Sequence, residues 1–211
     1  MTMSHIVDNP TGCREPADIV CRMRWDSLFD DLESQLEQER TAEELDVEAE
    51  EERLRLGRLS LRDRLLALTR APGGRSLRIG LVGGIRLVVL PQSIGRDWLS
   101  ATQPDGRQCV VPLAAIATVS LGRAEVATSL VAAAPDTVSA RLGLPFVLRD
   151  LCRRRRQVEL TTPDGVLVGT LDRVGRDHVD LAVHDSGTPR RESDVRDVLI
   201  VPIDRVVIVR A

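Results

Sequence analysis

The sequence predicts an α+β protein: an N-terminal helical arm, then two duplicated small antiparallel β-barrels with a helical connector between them. Three observations carry this expectation. Charge divides the chain, an amphipathic helical stripe lies before the division, and a set of short β-branched segments follows it twice. Of the 211 residues, 43% are apolar, 29% charged and 2% aromatic, and all 29 basic residues are arginine. Through Gly74 there are 10 arginines against 17 acids, whereas from Arg75 onward there are 19 against 15. The formal net charge of −3 argues against a basic coat for nucleic acid.

Most of the acidity lies between Asp26 and Glu52, where 13 acids face the single base Arg40. Trp25, Leu28, Phe29, Leu32 and Leu36 recur at steps of three and four, which places them on one face of a 3.6-residue period. Trp25, Phe29 and Leu32 make the densest part of this stripe and are expected to dock the arm. Gly57 breaks the pattern. Ser60 and Asp63 then form an N-terminal capping signal for a short helix through Leu61, Leu65, Leu66 and Leu68, which must stop at Ala71-Pro72-Gly73-Gly74. Residues 1–22 lack periodicity and are expected to be a disordered tail, which makes Met23 an alternative to Met1 as the translation start. The expected layout is therefore a tail over 1–22, an acidic helical arm over 23–74, a first repeat over 75–122, a connector over 123–157 and a second repeat over 158–211.

The repeat is read directly. Ile94-Gly95-Arg96-Asp97-Trp98-Leu99 returns 80 residues later as Val174-Gly175-Arg176-Asp177-His178-Val179, and the segment from Val110-Val111-Pro112-Leu113 to Val119 returns 90 residues later as Ile200-Val201-Pro202-Ile203 to Val209. The difference of 10 is an insertion between about His184 and Val198. In the first copy, strands are expected over 77–82, 85–90, 97–102, 107–112 and 115–120, with turn chemistry at Gly83-Gly84, Gly95-Arg96-Asp97 and Pro104-Asp105-Gly106. Pro112 and Pro202 remove a ladder donor before the last strand and favour a single helical turn there. Five short strands with such a turn describe a small SH3-like or Sm-like barrel. Between the copies, Pro145 opens a helix whose stripe is Leu148, Leu151 and Cys152.

The segment Gly169-Thr-Leu-Asp-Arg-Val-Gly-Arg-Asp-His-Val-Asp-Leu181 resembles the first Sm motif, and Val111-Pro-Leu-Ala-Ala-Ile-Ala-Thr-Val119 is similar to the closing strand of bacterial Sm-like RNA chaperones. With Met23-Arg-Trp-Asp-Ser-Leu-Phe-Asp-Asp-Leu-Glu33 in front and Leu148-Arg-Asp-Leu-Cys-Arg-Arg-Arg-Arg-Gln-Val158 leading into the second copy, the chain resembles a family of uncharacterised proteins from high-GC actinobacteria, with an acidic N-terminal helix and two Sm-like/SH3-like small barrels. Asp177-His178 stands where Sm proteins carry their turn asparagine, and the Arg-Gly of their second motif has no counterpart. Both serve RNA binding there, so the resemblance implies the fold more than the ligand.

Candidate contacts to a partner or to nucleic acid are Arg153, Arg154, Arg155 and Arg156, and Arg190 and Arg191 in the insertion. Four consecutive helical positions sweep too far around the axis to form one phosphate-binding surface, and arginine at a helix C-terminus also complements the macrodipole. His178, Asp180 and His184 alternate along one strand, but their span of about 20 Å is too long for the two histidines to share a metal. Cys13, Cys21, Cys109 and Cys152 form no CxxC pair and suggest neither a zinc site nor a disulfide framework. Gly80-Leu-Val-Gly-Gly84 lacks the Lys-Ser or Lys-Thr of a phosphate loop. No apolar run approaches a membrane span and no secretory h-region opens the chain. The expectation is a cytoplasmic, non-enzymatic interaction or scaffold module without catalytic residues, cofactor or metal. Its partner would be another protein or a second copy of itself. The alternative is an Sm-like nucleic-acid-binding regulator.

Overall fold

In a computed structural model of the chain, residues 16–71, 73–131, 138–187 and 190–211 are described, with side chains from residue 28 onward apart from 42. Two compact units are present, Met1–Gly57 and Arg58–Ala211. The first contains one long helix, α1 (Pro16–Gly57). It begins seven residues ahead of Met23, because Pro16 suits the first helical position, where its fixed φ is favourable and no amide donor is missed. Residues 1–15 of the expected tail lie outside the described residues. Gly57 ends α1 as its sequence position predicts.

The second unit opens with α2 (Leu61–Arg70). The Ser60 hydroxyl accepts from the Asp63 amide at 3.1 Å while the Asp63 carboxylate accepts from the Ser60 amide at 3.1 Å, which satisfies two amides at the helix start. The strands β1 (Leu77–Leu81), β2 (Arg86–Ile94), β3 (Trp98–Thr102), β4 (Gln108–Pro112) and β5 (Ile116–Ser120) follow. After α3 (Arg123–Ser129) and α4 (Leu144–Arg153) come β6 (Gln157–Thr162), β7 (Gly165–Val174), β8 (His178–Val183), β9 (Asp197–Pro202) and β10 (Ile208–Arg210). All ten form one antiparallel sheet in the order β5-β1-β2-β3-β4-β10-β6-β7-β8-β9, which is not closed and ends at β5 and β9.

Each half of this sheet has the same order of five strands. Each long second strand carries a register shift at the same place, Pro91/Ser93 in β2 and Leu171/Arg173 in β7, which bends it. Single helical turns follow Pro112 and Pro202, over Leu113–Ala115 and Ile203–Arg205. The repetition also includes the helices: α2 packs on β2 as α4 packs on β7, and Leu61, Leu65, Leu68 and Arg70 return as Leu144, Leu148, Leu151 and Arg153. The helix over 61–70 therefore belongs with the sheet rather than with the arm, and α4 belongs to the second repeat.

A five-stranded unit of this size has little core of its own, and the two cores share residues. Val207 and Ile208 of the second half lie in the cluster built on Leu65, Leu77, Leu99 and Val111. Trp98 of the first half lies in the cluster built on Leu148, Leu160, Leu171 and Leu181.

Candidate interaction surfaces

On α1, the side chains of Leu28, Phe29, Leu32 and Leu36 are all exposed. Phe29 and Leu32, the residues expected to dock the arm, belong to this stripe, while the Trp25 side chain lies outside the described residues.

The arginine run closes α4. The Arg155 amide donates to the Cys152 carbonyl at 3.0 Å and the Arg156 amide to the Leu151 carbonyl at 3.3 Å, with Arg155 at φ +52°. This is a Schellman cap, whose left-handed residue turns the chain and sends successive side chains in different directions. Arg153 and Arg154 both pair with Asp150. The Arg153 hydrogen bond, followed by that of Arg154, holds the Asp150 carboxyl below its ordinary range. Arg155 and Arg190 converge on Asp172 at 3.0 and 2.6 Å. Four of the six candidate arginines are thus arranged around two carboxylates, and Arg191 is exposed beyond them.

The repeated turn between the second and third strands is built alike in both halves. The Gly95 amide donates to the Trp98 carbonyl at 2.8 Å and the Gly175 amide to that of His178 at 2.9 Å. The carbonyls of Asp97 and Asp177 accept from Leu113 and Ile203 at 2.9 and 2.8 Å. A Cβ at Gly95 would run into the buried Trp98 ring, whereas one at Gly175 would meet the half-exposed His178 ring. The first turn also holds the entry to α4. Leu142 accepts at its carbonyl from the Arg96 amide at 3.0 Å and from the Trp98 indole at 2.9 Å.

His178 pairs with Asp177 at 2.8 Å, whereas His184 is buried beside Thr170 at 2.9 Å, so the two histidines serve different partners. Among the described residues no three histidine, cysteine or acidic side chains are placed to hold a metal ion, and no helix is long and apolar enough to cross a membrane. Cys109 and Cys152 are free thiols, and burial pushes the Cys109 thiol up from its ordinary value.

The small size of each repeat leads one to expect the two copies to bury surface against each other, but the sequence does not say which strands form the seam. Val209 pairs with Val110 and Arg210 with Cys109 across it. Glu159 and Arg210 pair on the far side, Gln103 accepts from Arg210 at 3.1 Å, and Arg107 reaches Glu159 at 3.9 Å. No local sequence signal marks it: the last strand has only three residues, and both its ladders join strands distant in sequence. No protein-family model, curated protein or solved structure matches the chain.

Proposed function

We propose that the chain is a non-enzymatic interaction and scaffold module acting in the cytoplasm, with two small Sm-like or SH3-like barrels as its body. The observation that carries this reading is the exposed stripe of α1. Leu28, Phe29, Leu32 and Leu36 recur at helical spacing on a helix in which 13 acids between Asp26 and Glu52 face one arginine. A short apolar stripe among acids of this kind fits a protein partner with an apolar groove and a basic rim. The barrel reading is supported by the five-strand order common to both halves and by the bulge that bends each second strand.

The nucleic-acid alternative draws on Arg153, Arg154, Arg155, Arg156, Arg190 and Arg191. It is weakened where Asp150 and Asp172 already occupy four of the guanidinium groups, since each must leave its carboxylate to meet a phosphate. Immobilised full-length protein, exposed to total RNA and to sheared DNA across a salt series, tests the alternative. The scaffold reading expects no salt-dependent retention of either; tight retention that falls steeply with salt would replace it with the nucleic-acid reading.

A further inference from the structure

We infer that the chain associates head to tail with further copies of itself, β9 of one copy adding to β5 of the next in the register that β4 and β10 use within the chain. This names a partner for the scaffold reading but rests on a different surface.

The equivalence of the two halves supplies the register. Ile79 opposes Val119 in the first half as Leu160 opposes Val209 in the second, and Trp98 opposes Pro112 as His178 opposes Pro202. Strand β9 is therefore the counterpart of β4, and β5 the counterpart of β10. Within the chain, the counterpart edges are joined: Val110 lies opposite Val209 and Cys109 opposite Arg210. The remaining two edges, β9 and β5, are the ends of the sheet. Applying the same register to them places Ile200 opposite Val119 and Leu199 opposite Ser120 of the next copy.

Three features of those edges fit this pairing. First, β9 displays apolar side chains that its counterpart covers: Ile200 is 71% and Leu199 37% exposed, whereas Cys109 is 2% exposed. A long apolar edge strand is normally blunted or paired. Second, a receiving groove exists. Val110 packs on the cluster containing Leu144, Leu148 and Val209; the counterparts Leu61, Leu65 and Val119 line a groove of about 370 Å³ beside β5, where Ile200 would lie. Third, charge is complementary with its sense reversed. Across the internal seam Arg107 faces Glu159 at 3.9 Å. Their counterparts are Asp197 on β9 and Arg78 on β1, both exposed, so an acid meets a base in the same place. The contact joins unlike edges and propagates, either closing into a ring or continuing as a filament.

Light scattering on the full chain, with Ile200→Asp as comparison, tests the inference. Ile200 is largely exposed, so this variant should keep the circular dichroism spectrum of the parent. The parent should show a mass at least twice its 23.2 kDa at concentrations up to about 100 µM, and Ile200→Asp should be monomeric. A monomeric parent, or an assembly that Ile200→Asp leaves intact, overturns the inference. The register is read by mixing Ser120→Cys with Leu199→Cys, each with Cys13 and Cys21 changed to serine, under mild oxidation. A disulfide-linked dimer should form in the mixture and in neither variant alone. Failure to cross-link in the mixture, or dimers of Leu199→Cys alone, would overturn it. A monomeric parent that still recovers a protein partner would remove self-association and leave the scaffold reading standing.

Discussion

The backbone amide of Leu144 donates to Oδ1 of Asp97 at 2.7 Å, so a residue of the first repeat caps the helix that opens the second. The helix needs this because its N-cap is Gly143, which has no side chain to offer. Replacing Asp97 with alanine leaves that amide without its acceptor and should cost about 1 kcal/mol, as loss of a cap does. Thermal unfolding checks it; an unchanged midpoint would mean that water replaces the carboxylate at no loss.

The repeated turns predict unequal responses to one substitution. In Gly95→Ala the new methyl meets the Trp98 ring, which is buried and hydrogen-bonded to Leu142. In Gly175→Ala it meets the His178 ring, which can swing toward solvent. Gly95→Ala should therefore destabilise by about 2 kcal/mol or more and Gly175→Ala by under about 1 kcal/mol. Equal losses in chemical denaturation would contradict the packing described at Trp98.

Arg155 is the one non-glycine residue at positive φ among those described. Arg155→Gly removes a left-handed strain of about 1 kcal/mol, and the exposed pair it forms with Asp172 is worth at most about that much. The variant should be as stable as the parent or more so. A fall in melting temperature of several degrees would show that the Asp172 pair holds the segment.

Burial raises the Cys109 thiol in the folded state, so the unfolded chain loses its thiol proton first as pH rises. The Cys109 contribution to stability is present below the ordinary thiol value and declines above it. Stability measured from pH 7 to pH 10 should fall less in Cys109→Ala than in the parent. Parallel profiles would exclude this linkage.

The strands were legible because Gly83-Gly84, Pro104-Asp105-Gly106 and the two prolines punctuate runs of valine, leucine and isoleucine: the expected first-copy strands match the observed ones to within one residue, except that β2 runs on to Ile94. That extension passes through Pro91 at a bulge, where the missing amide is tolerated. The kinship of α2 and α4 was hidden because only leucines and one arginine recur at matching positions, a pattern any short amphipathic helix carries. The seam was not legible either, since pairing between β4 and β10 joins residues about a hundred positions apart and leaves no local periodicity. The arginine run could be weighed against the macrodipole from sequence, but its two carboxylate partners could not both be found. Asp150 lies one turn back on α4, while Asp172 comes from β7.

The central claim, that the exposed stripe of α1 recruits a protein, is tested most directly by affinity capture from the native host with nuclease present. Tagged parent is compared with Phe29→Ala/Leu32→Ala. The account predicts that the parent recovers one protein partner in stoichiometric amount, and that the double variant loses it while the sheet keeps its circular dichroism signal. Recovery that disappears with nuclease, or that the double variant retains in full, would contradict it.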